Sequence, residues 1–394
     1  MFSQRVAWDL APNDLEQARI KRLSSGRDCI DLTESNPTRV GLRYASDELR
    51  AALSDAQALR YEPAARGLRV AREAIASWYC GRGMLVVPDD LLLTASSSEA
   101  YALLLKLMCD PGDAVLVPRP SYPLFDHLAQ LEDVRLVGYP LRVEDAWRID
   151  VAALEHALER EPRCKAIFVV SPNNPTGSFL RTDERDTLER VACRHGLAIV
   201  CDEVFADYVW RDEPSRVRCA ARDASVLTFS LGGLSKSACL PQLKLGWVIA
   251  GGPDAIRQEA LARLEIAADT YLSVGASVQH GAARLLRAGE MTRADLAQRV
   301  SCNLRALRDA FENGSPASVL PCVAGWYALL RVPRIQSDMQ WSVDFAVQDG
   351  VLVHPGELYG FEDQGYLVLG LIAHPALFDQ GVRRLAAGVS RRIG

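Results

Sequence analysis

The feature that most constrains this chain is a series of short apolar runs that do not alternate. They are DLLLT (90–94), AVLVP (114–118), KAIFVVS (165–171), LAIVCD (197–202), SVLTFS (225–230) and LGWVIAG (245–251). A strand with one wet face alternates apolar and polar residues. Continuous runs therefore mark strands covered on both faces, as in a largely parallel sheet between helices. Helical periodicity fills the intervals. RVAREAIASWY (69–79) reads as a helix, and EAYALLLKLMC (99–109) is a second, closed by Asp110-Pro111-Gly112-Asp113. Strand–helix alternation over about 200 residues predicts an α/β sandwich.

After residue 285 the rhythm changes. A polar-faced helix (291–313) precedes WYALLRVP, VDFAVQDG, VLVHPG and YLVLGLI, and a closing helix lies near FDQGVRRLAAGVSRR. This predicts three regions: an N-terminal segment over 1–45 that packs on the smaller part, a large α/β domain over 46–285, and a small α+β domain over 286–394.

Composition narrows the function classes. The 394 residues include 45 Lys+Arg against 50 Asp+Glu, a net charge of −5, with no basic stripe for a nucleic acid. No stretch of 18 apolar residues occurs, so no membrane-spanning helix is expected. The ten cysteines form no CxxC pair, and their spacing fits reduced, cytoplasmic thiols better than a zinc site or disulfide framework. The N-terminus has no apolar signal segment, which agrees with a cytoplasmic location. The six histidines show no HExxH spacing, and neither a GxSxG elbow nor a P-loop is present. Only five of the 45 cations are lysines: Lys21, Lys106, Lys165, Lys236 and Lys244.

Three segments follow apolar runs and hold chemistry-bearing residues. Ser171-Pro172-Asn173-Asn174-Pro175-Thr176-Gly177 is either an ordinary turn or a crossover loop at the carboxyl edge of the sheet, where open α/β sheets place ligands. Asp202-Glu203-Val204-Phe205 is either a solvated loop start or a carboxylate aimed at a cationic ligand group. Ser230-Leu231-Gly232-Gly233-Leu234-Ser235-Lys236-Ser237 sets a lysine in a Gly/Ser-rich turn. A compact, tunable amine in such a place forms Schiff bases, the alternative being a surface lysine. Thr94-Ala95-Ser96-Ser97-Ser98 opens a helix, as a plain cap or as an anion site built from hydroxyls and free N–H groups.

SPNNPTG, DEVFADY and SLGGLSK, in this order and each after a strand, resemble the class I/II aminotransferase family of fold-type-I pyridoxal-phosphate enzymes. The resemblance covers roughly residues 30–390. It implies a mostly parallel seven-stranded sheet between helices, pyridoxal 5′-phosphate as cofactor, and a homodimer with a composite active site. Lys236 then matches the Schiff-base lysine and general base, and Asp202 the acid that keeps the pyridine nitrogen protonated. Asn174 matches the residue that meets the cofactor's 3-oxygen and the substrate, and Tyr122 the aromatic that stacks on the ring. Ser97, Ser98 and Ser235 match phosphate-side hydroxyls. Tyr61 matches the tyrosine that reaches the partner's phosphate.

Departures from the family pattern bear on specificity. Phe205 stands where a tyrosine is common, leaving Tyr208 as its substitute or none. Lys244 stands for the phosphate arginine and lacks the bidentate fork. The stretch YLVLGLI offers Val368 and Leu369 where an arginine usually holds the substrate carboxylate, and no Lys or Arg lies between Arg334 and Arg383. Arg39, ahead of Arg331, is the candidate substitute for that arginine; a substrate without that carboxylate is the other option. Trp326-Tyr327 reads more readily as a core pair than as a pocket wall. The function implied is transfer of an amino group from an amino acid or amine to a 2-oxo acid, with a β-elimination lyase or decarboxylase as the alternative on the same scaffold.

Overall fold

Strands and helices alternate along most of the chain, and the computed structural model describes residues 1–312 and 314–393. The larger sheet has eight strands. Their spatial order is Leu91–Thr94, Gly246–Gly251, Thr228–Gly233, Ala198–Asp202, Cys164–Val170, Ala114–Arg119, Arg135–Arg142 and Arg148–Ile149. The five strands from Thr228–Gly233 to Arg135–Arg142 run parallel to one another. Gly246–Gly251 runs antiparallel to both its neighbours, and Arg148–Ile149 antiparallel to Arg135–Arg142.

The continuous apolar runs fill the covered part of this sheet. Every residue of Ala198–Asp202, Thr228–Gly233 and Gly246–Gly251 is buried. One face packs on the helix Ser97–Met108 through Leu104, Val117, Phe168 and Phe229, and the other on Leu188 and Val191 of the helix Thr182–His195. The sheet has one strand more than the seven expected, because the two-residue Arg148–Ile149 adds at the rim. Arg135–Arg142 lies near that rim with half its residues or more exposed in part, so its sequence carries no apolar run.

The second sheet has four antiparallel strands, ordered Ser318–Val319, Tyr327–Arg331, Tyr366–Gly370 and His354–Pro355. VDFAVQDG is helical, spanning the end of Asp338–Asp344 and the π turn Phe345–Asp349. The N-terminal segment is tied to this part: Ile30–Asp31 pairs in parallel with Val351–Leu352. One 35-residue helix, Ala276–Ala310, runs without a break through residues 285 and 286, where the sequence rhythm sets a boundary, and it packs against elements of both parts.

Candidate active site

Sheet register brings the motifs to one edge. Asp202, the last residue of its strand, lies between Val170 and Leu231, the strand neighbours that lead into the loop at 171–177 and the turn at 234–237. Thr94 and Gly233 both pair with Gly246, so the start of the helix Ser97–Met108 reaches that same edge. The carboxyl end of Ala114–Arg119 adds Tyr122.

Asp202 is buried, 4% exposed. Its Oδ1 accepts the Val204 backbone N–H at 3.0 Å, and its Oδ2 accepts the Tyr101 hydroxyl at 2.8 Å. Burial holds this carboxyl above the usual range, against the pull of the Val204 N–H, the Tyr101 hydroxyl and the Lys236 charge. Tyr101 in turn stands edge-on to Phe125, which stands edge-on to Tyr122. The Tyr122 phenol is pushed up to about 12 by burial and the nearby Asp202 charge, opposed by a hydrogen bond with Ser98.

Lys236 sits in the short helix Leu234–Ser237 that follows its strand directly. Its Nζ lies 4.7 Å from the ring centre of Trp326 and 5.6 Å from that of Phe205. Burial depresses its amine, with Cys239 and Asp202 opposing. Phe205 contacts Trp326 and Tyr327 edge-on. Tyr208 does not supply the hydroxyl that Phe205 lacks: fully buried, its OH donates to the Lys236 carbonyl at 2.8 Å and lies 3.2 Å from Cys239 Sγ.

The loop at 171–177 is fixed through Asn173, whose amide donates to the Pro120 carbonyl and Thr176 hydroxyl and accepts from Ser121. Asn174 is buried next to it in sequence, and among the described residues its Oδ1 has no hydrogen-bond partner. A buried amide end left open is uncommon and fits a ligand's polar group. At the serine turn, Ser96 caps the helix by accepting the Glu99 N–H at 3.1 Å. Ser97 and Ser98 stand half-buried in the first turn, where helix N–H groups lack intrahelical acceptors. Ser235 is also half-buried.

Lys236, Asp202, Phe205, Tyr122 and Ser98 thus form one cluster. Three other expected residues lie at the surface of the single chain. Lys244 is exposed in left-handed conformation (φ 53°) after the turn Pro241–Leu243. Tyr61 is 83% exposed at a cavity of about 240 Å³ that Glu99, Ser273 and Gln279 also line. Arg39 is exposed in the turn Pro37–Arg39, and among the described residues it makes no ion pair. Val368 is buried, paired in register with Leu329 and His354. Arg331 is exposed, its guanidinium 5.9 Å from the Tyr366 ring centre.

Tyr101 carries only a weak sequence signal, a lone phenol on the apolar face of EAYALLLKLM, and Trp326 is core as its sequence context suggests. Trp326 is a core residue at 1% exposure and also borders Lys236. Among the described residues no group of three or more His, Cys, Asp or Glu is placed to hold a metal ion, and no helix is long and apolar enough to cross a membrane.

Comparison with known proteins places this arrangement. The family Aminotransferase class I and II matches residues 27–372. Tyrosine aminotransferase of Homo sapiens is 28% identical over 267 residues, covering 63% of this chain and 57% of that protein, so the chain spans little more than half the length of that relative. Glutamate-pyruvate aminotransferase AlaA of Escherichia coli (strain K12) is 25% identical over 367 residues, 91% of this chain and 89% of that one. An alanine aminotransferase structure from Pyrococcus furiosus superposes with a TM-score of 0.89 at 21% identity, covering 100% of both chains; a Thermus thermophilus aspartate aminotransferase mutant superposes at 0.83, again at 21% identity, covering 98% of this chain and 99% of that one. These two likenesses show the pyridoxal-phosphate type I fold. With its lysine, acid and asparagine gathered at one sheet edge and the family match running over most of its length, the chain belongs to the class I and II aminotransferases.

Proposed function

We propose that this chain is a pyridoxal-phosphate-dependent aminotransferase that moves an amino group from an amino acid or amine donor to a 2-oxo acid. The observation that carries the reading is the pairing of the half-buried Lys236, in the turn after its strand, with the buried Asp202 at the adjoining strand end: each is pushed toward neutrality by desolvation, and each is suited to a ligand of complementary chemistry. The open Asn174 Oδ1, an acceptor in the loop at the same sheet edge, leaves room for a donor group of the ligand. Pyridoxal phosphate, when bound, supplies an electron sink for the substrate's α-carbon.

The chain's residues divide the remaining work. With the cofactor bound, Lys236 would hold it through its amine and, when free, would be the base that takes up and returns the substrate's α-proton. Depression of its amine by burial suits that base role. Asp202 keeps the proton on the ring nitrogen; the Tyr101 and Val204 donors fix the carboxylate's direction. Asn174 would contact the cofactor and the substrate, and Tyr122 and Phe205 would supply aromatic walls for the cofactor's ring. Ser97, Ser98 and Ser235 bind the phosphate, aided by the helix N-terminus. Lys244 adds charge at the phosphate side, Tyr61 reaches the phosphate of a partner subunit in a homodimer, and Arg39 meets the substrate carboxylate. Cysteines without disulfides agree with a cytoplasmic location.

The test is a half-reaction. The loaded protein, given an amino donor alone, is expected to lose its visible absorbance in favour of the near-ultraviolet band of the aminated cofactor, and a 2-oxo acid should restore it. Release of ammonia and pyruvate without an acceptor would overturn transamination in favour of elimination.

A further inference from the structure

Trp326 stands out among the buried side chains that the assigned roles leave unused. It is 1% exposed, yet among the described residues its indole N–H has no hydrogen-bond partner. Its ring is clamped edge-on by Tyr208 at 5.0 Å and 79° and by Phe205 at 5.4 Å and 76°. Its backbone carbonyl accepts the Leu371 N–H at 2.7 Å, which fixes the start of the strand Tyr327–Arg331. A buried indole with an open donor lowers stability, so this position is poorly explained by packing alone.

The π face of this ring is occupied by Lys236. Nζ lies 4.7 Å from the Trp326 centre and 5.6 Å from the Phe205 centre, both within the roughly 6 Å over which an aromatic face attracts a cation. Other charged and titratable groups around the lysine are few. Asp202 faces it from the strand end, and Cys239 and Tyr208 lie under its backbone. Arg293 of the long helix donates to the Ser237 carbonyl at 2.9 Å and lies 3.9 Å from Asp207. Asp202 is already engaged by Tyr101 and Val204. The aromatic corner is therefore the surface that a positive charge on the lysine nitrogen would face, acting against the depression of the amine by burial.

We propose that Trp326, with Phe205 as a weaker second wall, is a positioning residue that holds the Lys236 nitrogen in its charged form through its π face. This rests on the reading of Lys236 as the cofactor-bearing lysine. It also gives the missing hydroxyl at 205 a consequence, because Phe205 presents an aromatic wall where a phenol would compete for a hydrogen bond.

The experiment is a pH titration of the visible absorbance of the pyridoxal-phosphate-loaded protein, which reports protonation at the lysine nitrogen. Trp326→Leu keeps an apolar wall and removes the π face, so its midpoint is expected to fall by about half a unit to one and a half units, while Trp326→Phe stays near wild type. Phe205→Leu should shift less and in the same direction, and it decides the matter if Trp326→Leu does not fold. A purely structural role would leave the midpoint in place. Coincident titrations of wild type and both leucine variants, or an equal fall in Trp326→Phe, would overturn the proposal. Borohydride reduction of the same samples separates the two readings. Label at Lys236 without a shifted midpoint removes the aromatic role alone, and label at another lysine removes the assignment beneath it.

Discussion

Asp202 occupies a place where a carboxylate is costly unless a cation joins it. Two donors hold its oxygens, and burial still lifts its pKa. Asp202→Asn keeps the shape and the Val204 contact but removes the charge that retains a ring-nitrogen proton. Steady-state turnover is expected to fall by about a hundredfold or more while near-ultraviolet circular dichroism is retained, a size typical of removing one preorganised electrostatic partner. Retained turnover would contradict the role given to it. The adjoining Glu203 behaves differently. Its carboxyl is pushed up to about 8 by burial, opposed by the Ala220 N–H, the Ser230 hydroxyl and the Cys201 thiol. An unfolded chain ionises this group near 4.5, so between that pH and about 8 the folded chain binds the extra proton. Stability from this group therefore falls as pH rises through the window and levels off above it. Urea midpoints of wild type should drop relative to Glu203→Gln from pH 5 to pH 8; parallel profiles would contradict it. Asp202, Asn174 and Lys236 are singled out in the sequence because Asp202 ends an apolar run and the other two stand in the Pro/Asn/Gly loop and the Gly/Ser-rich turn that follow such runs. Tyr101 is not, since nothing local tells a phenol facing a carboxylate from one facing the core.

At the scale of elements, continuous apolar runs identified the covered strands, and solvent exposure hid Arg135–Arg142. The long helix shows another limit. Its first half contains Gly281 and Gly289, which read locally as interruptions. They serve close packing: a Cβ at 281 would come within 2.6 Å of the Ala52 carbonyl oxygen, and one at 289 within 2.4 Å of the Ala238 Cβ and 2.6 Å of its Cα. Ala238 lies two residues beyond Lys236, so helix and lysine turn share this contact. Gly289→Ala is expected to destabilise the chain by roughly 1–3 kcal/mol through overpacking, despite alanine's better helix propensity, and to lower affinity for added pyridoxal phosphate. Denaturation and fluorescence titration check both, and unchanged values would show that the contact relaxes freely.

For the whole molecule, the two parts share the long helix and the N-terminal segment rather than a flexible linker. The change of rhythm after the last covered strand precedes the strands of the second sheet, but no local signal reveals that one helix runs through it. Tyr61 belongs to this scale as well: it is exposed in the single chain, which suits a group proposed to act at the site of a second subunit. Sedimentation velocity is expected to show a dimer, and Tyr61→Phe should weaken binding of the cofactor's phosphate by about tenfold, the value of one hydrogen bond to a charged group. A monomer that is fully active would contradict the composite site.

The central claim, that the amine of Lys236 carries the cofactor, is tested most directly by reducing the pyridoxal-phosphate-loaded protein with borohydride and mapping the labelled peptide. The label is expected on Lys236, with Lys236→Ala remaining colourless. A label on Lys244, or a wild-type protein that stays colourless with added cofactor, would contradict it.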